Sequence, residues 1–140
     1  MNAFQTTVEI ESLPARVWMI LTDVENWPRW TPTVTNARRL EPGRLSLGSR
    51  TRIKQPKLPP AIWQVTELHE ARGLFTWVSH SPGVTVTARH ILEATPCGTR
   101  ATLSVNFTGL FGPLAAKLFG NLNREYVTTE ALRLKAVSET

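Results

Sequence analysis

Residues Phe111–Ser138 read FGPLAAKLFGNLNREYVTTEALRLKAVS. With Leu118 at zero on a helical wheel of about 100° per residue, Phe111, Leu114, Ala115, Leu118, Leu122, Tyr126, Thr129, Leu132 and Ala136 fall on one stripe, roughly a third of the wheel wide. Lys117, Asn123, Arg124 and Lys135 lie off it. The segment predicts one long amphipathic helix, and an apolar face of that length needs a large partner surface. Glu125 falls inside the stripe, between Leu118 and Leu132, with Arg133 on its edge. Either Glu125 faces the interior, or Gly120, Asn121 and Asn123 bend the helix onto a later phase through Tyr126, Glu130 and Leu134. The later phase, which we adopt, sends Glu125 to water. Tyr126 points inward in both.

The rest of the chain supplies the partner. Phe4, Thr6, Val8 and Ile10 alternate with Gln5, Thr7 and Glu9, a strand with one buried face. Ser12 is then placed as the N-cap of a short helix that has Pro14 in its first turn and Val17, Trp18, Leu21 and Val24 at helical spacing. A second short helix or turn runs from Asp23 to Trp30, broken at Pro28 and ended by Pro32. Val34–Leu40 reads as a strand whose alternation Arg38 and Arg39 disturb. In Ser49–Lys54 a small or apolar face (Ser49, Thr51, Ile53) opposes a basic, wet one (Arg50, Arg52, Lys54). Gln55–Pro60 holds three prolines and reads as a rim loop. Four more strands follow: Ile62–His69, Leu74–Ser79, Val84–Ala94 and Thr99–Phe107. Their apolar faces carry Trp63 and Val65, then Phe75 and Trp77, then Val86, Ala88, His90 and Leu92, then Ala101, Leu103, Val105 and Phe107. Short turns such as Ser81-Pro82-Gly83 and Pro96-Cys97-Gly98 make the later strands an antiparallel meander. The expected fold is α+β: a seven-stranded sheet wrapped around the C-terminal helix, two short helices between its first two strands, and a cavity between sheet and helix.

A chain of 140 residues with 41% apolar and 19% charged content suits a single domain, 1–140, with a substantial core. No segment resembles a signal peptide and no apolar run reaches the roughly 18–20 residues of a membrane span, so the expected location is cytoplasmic. The net charge is +5, but no block of five basic residues occurs and no nucleic-acid recognition motif is present. A solvated basic surface is expected, with no nucleic-acid partner. The one cysteine, Cys97, sits in a turn and is read as inert. Three scattered histidines lack metal-ligand spacing, so neither metal nor cofactor is expected, and His69 and His80 are placed at exposed strand ends.

Ser12, Val17-Trp18, Leu21, Asp23, Trp27 and Trp30 follow the pattern S-x-x-x-x-V-[FW]-x-x-L-x-D-x-x-x-W-x-x-W. Further matching pieces are Gln55-Pro56 to Trp63-Gln64-Val65-Thr66-Glu67, His90 ahead of Gly98-Thr99-Arg100, and Arg124-Glu125-Tyr126 to Glu130. On these residues nearly the whole chain resembles the START-related helix-grip (SRPBCC) superfamily, which includes lipid-transfer domains and plant pathogenesis-related allergens, and within it the polyketide cyclase/dehydrase proteins. The resemblance implies a seven-stranded antiparallel sheet gripping the C-terminal helix around a hydrophobic cavity open at one end. It implies no shared catalytic set, and the fold alone assigns no activity.

Candidate ligand-binding residues are Trp27, Trp30, Ile53, Trp63, Trp77, His90, Leu103, Val105, Phe107, Leu118, Leu122 and Tyr126. Trp27 and Trp30, three apart, form either a lid of flat aromatic surface or the packing of their helix on the sheet. Trp63, Trp77 and Phe107 either stack on a multi-ring ligand or complete the core. His90 is an inward imidazole: a polar contact, an acid/base group, or a histidine satisfied by one hydrogen bond. The expected function is binding of a hydrophobic small molecule such as a lipid, isoprenoid or aromatic polyketide, by a monomer or homodimer. The alternatives are a polyketide cyclase, aromatase or dehydratase using an inward acid/base residue, and a basic module for nucleic acid or membrane surfaces using Arg50, Arg52 and Lys54.

Overall fold

Alternation along the chain becomes one antiparallel sheet in the computed structural model, which describes residues 2–140. The strands are β1 (Ala3–Ile10), β2 (Asn36–Arg39), β3 (Arg50–Lys54), β4 (Ala61–His69), β5 (Leu74–Ser81), β6 (Val84–Thr95) and β7 (Gly98–Thr108). Their spatial order is β1-β7-β6-β5-β4-β3-β2, so β2 to β7 form a meander and β1 closes on β7. Between β1 and β2 lie helix α1 (Pro14–Thr22) and a 3-10 helix, Val24–Arg29. Helix α2, Gly112–Ser138, follows β7 and covers the inner face.

Register sets which side chains meet inside. Val65 pairs with Trp77, Trp77 with Ala88, Ala88 with Val105, and Val105 with Phe4, one row across the sheet. The next row runs Phe75, His90, Leu103, Thr6. Because side chains alternate between faces, all these residues project toward α1 and α2. A register shift in β4 between Val65 and Glu67 bends the strand there.

Three local readings change. Ser12 is not the cap of α1: Leu13 holds that position without a side-chain cap bond, while the Ser12 carbonyl accepts from Thr99 Oγ1 at 2.7 Å. The second strand is only Asn36–Arg39, at the sheet edge, and Val34 is buried ahead of it. Lys54 does not share the wet face of Arg50 and Arg52. Its Nζ turns back to the carbonyls of Gln55 and Leu58, tying down the proline loop.

The C-terminal half of α2 follows the later phase through Tyr126 and Leu134, and the stripe drawn through Leu118 does not pack. Phe111, Leu114 and Leu132 are exposed and Leu118 is 65% exposed, while Tyr126, Val127, Ala131 and Leu134 are buried. Glu125 faces water. The helix runs unbroken through Gly120. Its C-terminal half is anchored: Arg16 Nε donates to the Ser138 carbonyl (3.0 Å), Lys135 Nζ to the Glu9 carbonyl (2.8 Å), and the Glu11 amide to Glu139 Oε2 (2.8 Å). Small Ala131 and branched Val127 let that half approach β1 and β7 closely, which a row of leucines would not.

Candidate functional site

Trp27 organises the interior. Its indole N–H donates to the Leu21 carbonyl at 3.0 Å, which locks the 3-10 helix to α1 and turns the ring inward. Its ring centroid lies 5.3 Å from Trp77 and 6.0 Å from His90, and Trp63 continues the wall 5.8 Å beyond Trp77. Trp30 stands 5.6 Å behind Trp27. Phe75 stacks on the His90 imidazole at 4.7 Å. These tilted and stacked contacts are those aromatic pairs prefer.

Against this wall sit four polar side chains from two sides: Gln55 after β3, and Asn123, Tyr126 and Glu130 on α2. The Tyr126 hydroxyl donates to the Pro56 carbonyl, fastening the helix to the proline loop. Burial, then the nearby Glu125 charge, pushes the phenol above its ordinary value. Glu130 accepts from Thr33 Oγ1 at 3.3 Å. Burial of its carboxyl outweighs that bond and raises its pKa from 4.5 to about 7. His90 moves the other way, down to about 4, because burial disfavours the imidazolium. His90 Nδ1 lies 2.9 Å from the Phe75 carbonyl, which can only accept, so Nδ1 carries the proton and Nε2 is a bare acceptor. Near neutrality the pocket thus holds one neutral base and one carboxyl close to half-ionised, the kind of divergence that acid/base chemistry uses.

The inner space is small. Trp27, Ile53, Trp63, Trp77, His90, Val105 and Tyr126 line it together, around a volume of about 40 Å³. That is room for a few waters, not for a hydrophobic ligand. The aromatic rings fill what they were expected to surround. A larger groove of about 240 Å³ adjoins it, sharing Ile53, Gln55, Trp63 and Asn123 as walls. Its other sides are Leu58 and Pro59 of the loop, Val84, Val86 and Phe107 of the sheet, and Ala115 and Phe119 of α2.

Of the remaining candidates, Phe107 lines the groove, and Leu103 is buried in β7 without reaching either space. Trp30 supports Trp27 from outside the lining. Leu118 points to solvent and Leu122 is half-buried away from both spaces, corrections that follow from the helix phase. The sequence reading missed Glu130 as a site residue. Its signal was the spacing of four from both Tyr126 and Leu134. Among the described residues, no three His, Cys, Asp or Glu side chains cluster to hold a metal.

This geometry, a seven-stranded sheet closed by a C-terminal helix over an aromatic pocket, is the helix-grip fold. The chain belongs to the family described as polyketide cyclase/dehydrase and lipid transport, whose profile matches residues 1–139. Solved structures agree on the fold. The ZhuI aromatase/cyclase of a Streptomyces species superposes with TM-score 0.80 at 16% identity, over 98% of this chain and 93% of that one. The structure titled Ara h 8.0201 gives 0.74 at 15% identity, over 97% and 96%. TTHA0849 from Thermus thermophilus gives 0.75 at 18% identity, over 96% and 94%. Identities this low establish the fold and no more. No curated protein matches the chain. No helix among the described residues is long and apolar enough to cross a membrane.

Proposed function

We propose that residues 1–140 form one unit that binds a hydrophobic small molecule, of the lipid, isoprenoid or aromatic polyketide class, between the sheet and α2. The observation that carries this is that the apolar groove lies against a small aromatic pocket holding a few polar side chains, with Ile53 and Trp63 as shared walls. The ligand's apolar body lies in the groove, where each Å² removed from water contributes about 25 cal/mol. Its polar end reaches toward Tyr126, His90 and Glu130. With the inner space so small, a multi-ring ligand enters only if Trp63 or the proline loop gives way, so an elongated ligand fits best. Such a protein works in the cytoplasm as a monomer or homodimer, with no nucleic acid involved.

The test is native mass spectrometry of the purified protein, followed by displacement of a solvatochromic hydrophobic dye. A co-purifying apolar adduct, or saturable dye binding lost on Phe119→Asp at the exposed rim of the groove, supports the reading. Absence of both sinks it.

A second reading, a cyclase, aromatase or dehydratase on a polyketide-like chain, is favoured by one observation. Glu130, raised to about 7, and the unprotonated Nε2 of His90 belong to the same pocket. In that reading the protonated carboxyl donates to a carbonyl or leaving hydroxyl and the imidazole removes the proton. Glu130→Gln abolishing turnover while leaving ligand affinity intact would separate it from a carrier role.

A further inference from the structure

The two ends of the sheet differ in where acidic residues lie. Because the strands are antiparallel, the β3–β4 loop, the β5–β6 turn and the β7–α2 connection all emerge at one end. Each lies in a stretch without acidic residues: none occurs between Glu41 and Glu67, between Glu70 and Glu93, or between Glu93 and Glu125. Lys57 on the loop and Lys117 on α2 are exposed cations of these stretches, while Arg124 further along α2 is followed by the exposed Glu125. The opposite end mixes signs, with Glu11, Glu41, Glu70 and Glu93 among the exposed Arg16, Arg44 and Arg72.

Exposed apolar residues occur at both ends, Leu13 and Leu47 among them at the other, but at the acid-free end they are consecutive along one connection and helix start. Leu110 is 82% exposed, and Phe111, Leu114, Leu118 and Phe119 are all exposed around it. This is a tip rather than a frayed end. The Phe111 amide donates to the Gly83 carbonyl at 2.8 Å, and its ring covers Gly83 so closely that a Cβ there would overlap it. The side chains are therefore presented by a braced turn. Grouped apolar exposure of this kind marks an interaction surface.

We infer that this end docks on an anionic lipid surface, with Leu110, Leu114 and Leu118 entering the interface and Lys57 and Lys117 on the headgroups. An apolar projection flanked by Lys57 and Lys117, with no anion along α2 before Glu125, has the complementarity such a surface requires. A projecting tip suits a deformable interface better than a protein partner, which needs a fitted concavity. The groove walls Leu58, Pro59 and Phe119 open at the same end, so a docked molecule has its groove mouth at the membrane. Docking is a property of the surface and stands apart from what the pocket holds.

The test is sedimentation of the protein with vesicles of phosphatidylcholine alone and of phosphatidylcholine with phosphatidylserine, at low and high salt. Binding is expected to the phosphatidylserine vesicles only, and to weaken with salt. Lys117→Glu should lower partitioning roughly tenfold or more, and the double change Leu110→Ser, Leu118→Ser by a similar factor. Both sites are exposed, and circular dichroism checks that the variants stay folded. A folded wild type that ignores phosphatidylserine vesicles overturns the inference. So does a dimer in sedimentation equilibrium that the serine changes dissociate without vesicle binding, which makes the tip a self-interface. Loss on Lys117→Glu with no effect of the serine changes also overturns it, leaving an electrostatic surface suited to an acidic protein. Native mass spectrometry of the protein recovered from the vesicles separates this from the pocket reading: docking without lipid uptake refutes membrane lipid as ligand, not docking.

Discussion

Replacing Glu130 by glutamine should change how stability depends on pH. Burial raises the carboxyl from 4.5 to about 7. A folded-state pKa above the unfolded one means the native state holds its proton more tightly, so its stabilising effect is complete below 4.5 and is lost as pH rises to about 7. At ~1.4 kcal/mol per pKa unit the loss is roughly 3 kcal/mol. His90 works in the opposite sense. Its pKa falls from 6.5 to about 4, so its stabilising effect is complete above 6.5 and is lost as pH falls toward 4. That is also roughly 3 kcal/mol. In the wild type the two trends oppose each other and stability is nearly level between them. Glutamine keeps an acceptor for Thr33 and removes the titration. Glu130→Gln should therefore expose the His90 trend, rising by about 3 kcal/mol across the acid range, and exceed the wild type by about as much above neutrality. Urea unfolding followed by tryptophan fluorescence at a series of pH values measures both. A wild-type-minus-variant difference that stays constant with pH would refute the burial argument for this carboxyl.

The remaining expectations concern packing and the pocket. Leu134→Ala should cost about 2–5 kcal/mol and Leu118→Ala less than about 0.5, measured by thermal or urea unfolding; equal costs would contradict the helix phase. Tyr126→Phe should lose about 1 kcal/mol with the bond to the Pro56 carbonyl and speed hydrogen exchange in the Gln55–Pro60 loop, and unchanged exchange would show that the hydroxyl does not hold the loop. Gly98→Ala should destabilise by about 2 kcal/mol or more, since at φ +146° its Cβ would overlap the Ile10 carbonyl oxygen and lie 2.7 Å from the Ser12 nitrogen, backbone atoms that cannot swing aside. Ala88→Leu should fill the inner pocket and weaken ligand or dye binding while the fold persists; undiminished binding would place the ligand wholly in the groove.

The sheet was legible because period-two alternation is a local property with a long reach. Once Val86, Ala88, His90 and Leu92 share a face, and tight turns join the strands, neighbouring register follows. The inward places of Trp63, Trp77, His90 and Val105 came from that rule and agree with the pocket lining. The caps and edges were not legible: Ser12 has cap chemistry, but Leu13 holds the cap position and the Ser12 carbonyl serves Thr99. Glu130 lay on the adopted helix phase but was not named a site residue, because a chemical role for it needs a second element, here the loop carrying Thr33 and Val34, to close over it.

The first half of the helix went wrong for a different reason. A wheel weights large apolar side chains, so the leucines near its start set the stripe. Burial, however, goes to residues that let backbones approach. The anchored half of α2 therefore packs through Val127, Ala131 and Leu134, while Phe111, Leu114 and Leu118 of the other half remain in water. An apolar row that does not pack against its own sheet has an energetic cost that nothing inside the molecule offsets. Ala115, Asn123 and the partly exposed Phe119 beside that row meanwhile wall the groove. One half of the helix thus fixes the fold, and the other sets the width of the groove and supplies the apolar tip at its mouth. Substitutions in the first half-turns should accordingly act on binding, and those beyond Tyr126 on stability.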